Sequence, residues 1–560
     1  MSSNTSATPA AAVLRPAATI IVVRDAPVGI EVLMLLRRAH RGDVYGGAWV
    51  FPGGVVDARD HECGGVCGAF GDAAASSQLG LPAGGLDYYV AAVRECFEES
   101  GLLYAHRAGG ALAGAAEAAP PLHDWRGRLH RGEAGLADLC RAHGLAPAMQ
   151  QLIYFGHWLT PLGRPKRFDT RFFLAEAPAG QTATHDDVEM VEERWFTPAD
   201  ALERRAEMKL LTPTVRSLET MARFDSVAAL LAWARAPRAI VATMPHMGTG
   251  RQGLRPVPPD EPAWAELRRI DPEGRGSGRY EIVPDEPVRL SPRVIRVSAD
   301  NGSVMTGPGT NTYLIDGGAN EWAVIDPGPL DAAHVQAVLD AAPGPIRWIF
   351  ATHTHRDHSP ATVMLAARTG ARVHGRLCAH PEWQDETFSP DVLLAGGERF
   401  AFNGGSTLRA IHTPGHASNH LCYLLEEEKT LFTGDHVMQL STVVINPPDG
   451  DMAAYVASLR ALCAEDLEWL APGHGFLMHE PRRAFEWIIE HRLKREAKVA
   501  DALRDLGPAP AEALLAQVYD DVPPRMHAMA MRSLKAHLIK LRDEARAVEQ
   551  GDRWAAGPRA

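Results

Sequence analysis

The sequence predicts a multidomain protein of the α/β class. Three observations predict it: a length of 560 residues, two long tracts in which β-like runs alternate with helical ones, and a Pro/Gly/Arg-rich stretch between them. A chain this long exceeds what one hydrophobic core serves, so two to four domains are expected. With 46% hydrophobic and 22% charged residues it has the composition of a globular protein. A net charge of -12 argues against a general polyanion binder, though a local basic patch is compatible with it. Seven cysteines, an odd number, do not make a disulfide framework and point to a reducing compartment. Cys63 and Cys67 have the spacing of half a metal site but lack a second close pair, and small packed thiols are the competing reading.

No apolar run approaches the roughly 20 residues needed to span a bilayer, so no membrane association is expected. The opening residues MSSNTSATPAAAVLRP lack the basic start and long apolar core of a signal peptide. The final GPRA is not a peroxisomal signal of the Ser-Lys-Leu type. A cytoplasmic location is the expectation.

In chain order, residues 1–14 read as a disordered start. AATIIVVRD and IEVLMLLRR are β-like runs separated by a turn at Ala26 to Gly29. WVFPGGVVD follows, then a Gly/Ala-rich, strand-poor stretch, then YYVAAVRECFEESGLL with helical apolar spacing that ends at Gly101. Strand signals over 170–196 and a capped helix at TPADALER complete a first domain over 15–235, with an insertion at 61–93. Residues 236–285 are rich in Pro, Gly and Arg without a sustained period, which predicts a linker or irregular wrap. Alternation resumes at VIRVSADN and defines a domain over 286–480. RRAFEWIIEHRLKREAKVADALRDL, EALLAQVYDD and MHAMAMRSLKAHLIKLRDEARAV then predict three helices over 481–548, with a short hairpin possible, as in a winged-helix or three-helix unit.

The chemistry of the second tract is the most specific signal. RWIFAT is a buried-strand run that delivers its end into His353-Thr354-His355-Arg356-Asp357-His358. Ser359-Pro360 has the form of an N-cap and first helical position for the run that follows. Imidazoles at 353 and 355 leave an extended loop on the same side and can grip one ion, while Asp357 and His358 are placed to face a second. His416 in IHTPGHASNH, Asp435 in TLFTGDH and His474 in LAPGHG each follow a β-like run and sit beside glycine, which permits close approach to an ion. A His and carboxylate donor set fits two zinc ions best, with manganese or iron as alternatives. Such a pair activates water at neutral pH and clamps the oxyanion formed on attack, which would make Asp357 part of the catalytic apparatus. Chance gives roughly 0.003 His-X-His-X-Asp-His strings in a chain of this composition, which excludes coincidence as the explanation.

HTHRDH, TPGHASNH, TGDH and PGHG resemble the metallo-β-lactamase superfamily in order and spacing. The resemblance implies an αββα sandwich in which His353, His355 and His416 hold the first metal, Asp357, His358 and His474 the second, and Asp435 bridges. MTGPGTNTYLID, VIDPGP and the helical tail resemble the branch containing the β-lactamase-like protein 2 group, over about 285–548. That branch implies metal-dependent cleavage of single-stranded RNA. Thioesterases, glyoxalases and lactonases share the fold, and thioester hydrolysis is the runner-up. Arg492, Lys494, Arg495, Lys498, Lys535, Lys540 and Arg542 place cations on the tail helices, either to contact phosphates or as a solvated face. Leu534, Leu538 and Leu541 read first as packing, with oligomerisation as the other use.

In the first tract, Glu95, Glu98 and Glu99 lie at i, i+3 and i+4 and share one helical face. Three like charges there are unfavourable unless a hard divalent ion, magnesium or manganese, collects them; Arg94 can hold one carboxylate in place. Gly54 and the run Arg94-Glu95-Cys96-Phe97-Glu98-Glu99-Ser100-Gly101 resemble the Nudix box, and imply an α/β/α sandwich with the three glutamates as catalytic metal ligands. Asp60 stands where the first Glu of the box belongs, and 33 residues replace the usual seven before Arg94. The flanks resemble the peroxisomal coenzyme A diphosphatase subgroup, which carries a comparable insertion. A small-molecule diphosphate or coenzyme A derivative is the implied substrate, with Glu189 or Glu192 as a further metal contact. A non-catalytic, ligand-sensing Nudix half is the alternative.

Overall fold

AATIIVVRD and IEVLMLLRR are apolar at nearly every position because both faces of their sheet are covered. The computed structural model of the chain describes residues 13–39, 45–107, 112–113, 122–381, 384–439 and 441–559. These divide into two compact units, one of residues up to Met247 with Glu273–Arg275, the other of Gly248–Pro272 with Gly276 onward.

The first unit is built on an eight-stranded mixed sheet, in which Leu14–Asp25 lies between Ile30–Arg37 and the parallel strand Arg167–Glu176. Alternation along the first two strands sends Ile20, Val22, Leu33 and Leu35 to one face, and Ile21, Val23, Val32 and Met34 to the other. Helices Asp72–Leu79, Gly85–Ser100 and Leu136–His143 close the first face; Thr212–Met221 and Val227–Arg235 close the second. The result is an α/β/α sandwich. Within the insertion, a 3₁₀ segment Ala58–Gly65 and helix Asp72–Leu79 precede the glutamate helix, which starts at Gly85. Cys63 and Cys67 are buried in this core, and burial pushes the Cys67 thiol up to about 11; neither joins a metal-type cluster among the described residues. They are packed thiols.

The second unit contains two sheets. A seven-stranded sheet runs from Val288–Arg289 to Val392–Leu393, and a six-stranded sheet from Arg399–Ala401 to Met478–His479. Tyr313, Ile325, Phe350, Leu408, Tyr423 and Phe432 form the core between them. Helices Ala332–Ala341 and Ala361–Thr369 cover the outer face of one sheet, and Met452–Leu462 with the start of Pro481–Leu506 that of the other, giving αββα layering. The long helix Pro481–Leu506 leaves that layer and enters another core through Val499, Ala502 and Leu503. There it joins helices Ala511–Val518 and His527–Asp543 and a three-stranded sheet, completing a winged-helix domain. Its hairpin, Ala547–Gln550 with Arg553–Ala556, runs beyond the expected end at 548. Among the described residues no helix is long and apolar enough to cross a membrane. Residues 1–12 of the expected disordered start lie outside the described residues, and Leu14 already begins a strand.

Of the two readings of the stretch 236–285, linker or irregular wrap, the short elements there have the form of a wrap. Its part from Gly248 onward is folded almost entirely into the second unit, where Val257, Trp264, Leu267 and Tyr280 share a small core with Phe476. Helix Trp264–Ile270 carries Glu266, which is buried and accepts two hydrogen bonds from buried Arg296, at 2.6 and 3.0 Å, and one from the Leu477 N–H at 2.9 Å. Composition concealed this because the helix is only seven residues long and its flanks are Pro/Gly-rich. Removing one partner of such a pair strands a buried charge, at a cost of about 3–5 kcal/mol. Glu266→Ala is therefore expected to lower the urea midpoint of the second unit while sparing that of the first; a true linker residue would move neither.

Candidate functional site

Four strand ends build the main site. Ile346–Phe350 leads into the His353–His358 loop, Thr407–His412 toward His416, Thr430–Gly434 into Asp435, and Trp469–Pro472 into His474. Strand ends are rigid supports, and the close crossings there require glycine. A Cβ on Gly473 would lie 2.8 Å from Asp435 Oδ1 and from the His358 ring, and one on Gly434 would lie 2.5 Å from Thr352 Oγ1. Ser359 does not cap the following helix as expected. Its hydroxyl donates to Asp385 at 2.7 Å, and the helix starts at Ala361.

The seven residues singled out in the sequence converge in two groups, His353 with His355 and His416, and Asp357 with His358, Asp435 and His474. In the first, His355 Nδ1 lies 2.9 Å from His353 Nε2 and 3.0 Å from His416 Nε2. The other ring nitrogens fix the tautomers. His416 Nδ1 donates to the Val444 carbonyl at 2.9 Å. Thr352 Oγ1 donates to Asp326, so it accepts from His353 Nδ1 at 3.0 Å. Both Nε2 atoms therefore present lone pairs toward His355, and no proton on His355 can satisfy them both well. Burial holds His353 far below the usual imidazole range, and burial with His416 nearby takes His355 down to about 3.

In the second group, His358 Nε2 lies 3.3 Å from both Asp357 Oδ2 and Asp435 Oδ1, and His474 Nε2 lies 3.3 and 3.2 Å from the same atoms. His358 Nε2, His474 Nε2 and Asp435 Oδ1 are buried without a hydrogen-bond partner. Burial opposes charge here, yet the carboxylates raise His474 to about 9 and hold His358 well above its usual range. Asp357 and Asp435 are held low in turn, their burial outweighed by the two histidines. This pocket concentrates negative charge that calls for a cation. Asp435 Oδ2 also reaches to 3.6 Å from His416 Nε2, so its two oxygens address both groups. Orphaned buried donor atoms, neutral imidazoles and paired carboxylates all fit a divalent metal.

Asp326, which the sequence analysis did not single out, orients the site. It takes the left-handed backbone conformation at φ 51° and accepts from the Thr352 N–H and hydroxyl, both at 2.7 Å. Its Oδ2 then lies 2.9 Å from His358 Nδ1, which leaves His358 Nε2 aimed at the site. The signal was present in VIDPGP, but an isolated Asp after a strand carries no spacing pattern.

In the first unit, Arg94 organises the glutamates. It donates to Asp60 at 2.8 and 3.1 Å, to Glu95 at 2.8 Å and to Glu98 at 3.3 Å. The insertion thus returns Asp60, buried, to the arginine. Glu99 accepts from the Gly53 N–H at 2.9 Å, and a Cβ on Gly54 would lie 2.3 Å from Glu95 Oε1, so the glycine pair presses against the carboxylates. Burial raises all three glutamates, Glu98 to about 7 and Glu99 well above its usual range, with Glu189 adding to the rise of Glu95 and Glu99. Of the two outside carboxylates that the sequence offered, Glu189 lies near enough to act on Glu95 and Glu99. Their oxygens do not close into a cluster as tight as those of the second unit.

The tail cations are largely consumed within the chain. Arg492 donates to the Val443 carbonyl, and Arg495 pairs with Asp521 at 2.7 Å. Lys498 pairs with Asp520 at 2.7 Å, Lys540 with Glu496 at 2.9 Å, Arg542 with Glu549 at 2.9 Å and Lys494 with Glu490 at 2.6 Å. Lys535 is exposed. Leu534, Leu538 and Leu541 are buried inside the winged-helix core.

Comparison with known proteins agrees with this anatomy. Residues 305–474 match the metallo-beta-lactamase superfamily, 67–223 the NUDT19 Nudix domain, and 511–554 the beta-lactamase associated winged helix domain. The lactamase-like protein vrtG of Penicillium aethiopicum is 33% identical over 46% of this chain and 78% of its own. The atrochrysone carboxyl ACP thioesterase of Aspergillus chevalieri is 34% identical over 42% and 72%. The beta-lactamase-like protein 2 homolog of Drosophila melanogaster is 31% identical over 46% and 90%. The chain is a hydrolase that belongs to the metallo-beta-lactamase superfamily and joins a NUDT19-type Nudix domain to a metallo-beta-lactamase domain with its winged helix.

Proposed function

We propose that the chain is a two-site hydrolase of coenzyme A-type molecules, cleaving an acyl thioester in its second unit and the diphosphate in its first. The carrying observation is Asp435, whose two oxygens face two separate groups of metal-type donors. In this reading His353, His355 and His416 would hold one zinc, with manganese or iron as substitutes, and Asp357, His358 and His474 would hold the other. A metal pair held there would supply an activated water at neutral pH and a counter-charge for the oxyanion. The protein's part is orientation: Asp326 aims His358, and the Gly309 carbonyl, 3.1 Å from His474 Nδ1, aims His474.

The thioester is favoured over RNA because the tail cations expected to meet phosphates are paired internally, and because a relative named as a thioesterase is among the matches. RNA cleavage is the second reading, favoured by the match over 90% of the beta-lactamase-like protein 2 homolog. In the Nudix half, Glu95, Glu98, Glu99 and Glu189 would hold magnesium or manganese against a diphosphate. Arg94, with Asp60 behind it, keeps the carboxylates facing the same side.

Four outcomes are expected. Purified chain should carry about two zinc-type ions in its second unit. Asp435→Asn should lose at least one by elemental analysis and lower thioester hydrolysis by about 100-fold or more; full occupancy with full activity would exclude the bridge. Glu98→Gln should abolish release of 3′,5′-ADP from coenzyme A while leaving thioester hydrolysis intact; wild-type protein inert toward every diphosphate would favour the ligand-sensing alternative. Across acyl-coenzyme A, lactone and single-stranded RNA, His355→Ala should abolish cleavage of the thioester. Rapid RNA cleavage lost in that variant, with thioesters untouched, would reverse the order of the two readings.

A further inference from the structure

A cavity of about 520 Å³ adjoins the metal-type centre, with His474 in its wall. The volume is that of a small-molecule site. Its other walls are mainly apolar, from Ile282, Val304, Met305, Met438 and Phe476, with Arg251 and Glu281, a loosely paired couple 3.9 Å apart, also in the lining. Two of these are unusual. Val304 is 78% exposed and Met305 47% exposed, side by side on one turn. That turn is held in shape: Ser303 Oγ accepts from the N–H groups of Met305 and Thr306, both at 3.1 Å, and Thr306 Oγ1 donates to the Asn301 carbonyl at 2.5 Å. The fold thus presents apolar side chains to water next to a polar, metal-type centre.

The facing wall comes from the segment whose composition suggested a linker. Gln439 fixes it, donating to the Pro262 carbonyl at 2.9 Å and accepting from the Phe476 N–H at 2.9 Å. Ile282 packs on the core formed by Trp264, Tyr280 and Phe476. The segment lies before residue 305, where the superfamily match begins.

We infer that this cavity is the acyl-chain subsite of the second unit, with residues 248–285 as its specificity wall. The inference rests on the thioester reading. His474 is the one metal-type residue in the cavity wall; through it the occupant would be part of the molecule cut there, and a mainly apolar lining suits a hydrocarbon chain better than a sugar-phosphate backbone. A short acyl group leaves most of the volume unfilled; a medium or long chain fills it and gains by apolar burial.

The test compares kcat/KM for dodecanoyl- and acetyl-coenzyme A, and separately measures fluorescence of dansyl-undecanoate added to the full-length protein. Wild type should prefer the long chain by at least about tenfold and enhance the probe's emission, with dodecanoate displacing it. Ile282→Trp, which fills the cavity, and Val304→Asp, which charges its rim, should each reduce the chain-length ratio and weaken probe binding. Leu393→Trp, on an exposed strand elsewhere in the unit, should change neither. An unchanged ratio with unchanged probe binding in the two cavity variants would overturn the inference while leaving thioester hydrolysis standing. If no thioester is cleaved at all, the proposed function fails; probe binding lost in Ile282→Trp would still support an apolar-chain site, and binding retained there would overturn it.

Discussion

His355 Nδ1 lies about 3 Å from His353 Nε2 and from His416 Nε2, and both of these are fixed as acceptors by what their opposite nitrogens do. A single proton on His355 Nδ1 would have to be divided between two acceptors, whereas a cation is met by all three lone pairs. The rest of the second unit can be understood as the apparatus that enforces this arrangement. The strand ends bring the loops together, glycines at 434 and 473 permit backbone contact at van der Waals limits, and Asp326 holds a left-handed turn to aim His358. Backbone strain at a site is sustained when its surroundings over-determine it, and Asp326 has three partners to do so.

The Nudix half solves a like-charge problem by a different route. Its carboxylates share an arginine, which itself is backed by Asp60 and the Val55 carbonyl at 2.9 Å. The insertion lengthens the loop without removing the ion pair, because loop closure grows only slowly in cost with length. Burial raises the glutamates, which opposes the mutual repulsion of three like charges on one helical face.

Much of this was legible in the sequence, for identifiable reasons. The seven metal-type residues of the second unit were readable because chemistry forces rare residue types into short strings at strand ends, and their convergence follows from the αββα layering. The glutamates were readable from helical periodicity. What was not legible depended on long-range pairing. Glu266 and Arg296 are 30 residues apart, and neither sits in a motif, so a folded wall read as a linker. The tail lysines and arginines were visible as cations, but their carboxylate partners, such as Asp521 for Arg495 26 residues on, are set by the turn between helices. Charge patterning along one helix cannot reveal that.

The central claim is that the second unit is a dinuclear centre bridged by Asp435. Anomalous diffraction from crystals of the full chain at the zinc edge tests it most directly. The account predicts two peaks about 3.5–4 Å apart, one among His353, His355 and His416 and one among Asp357, His358 and His474, with Asp435 between them. A single peak, or none after growth with zinc supplied, would contradict it.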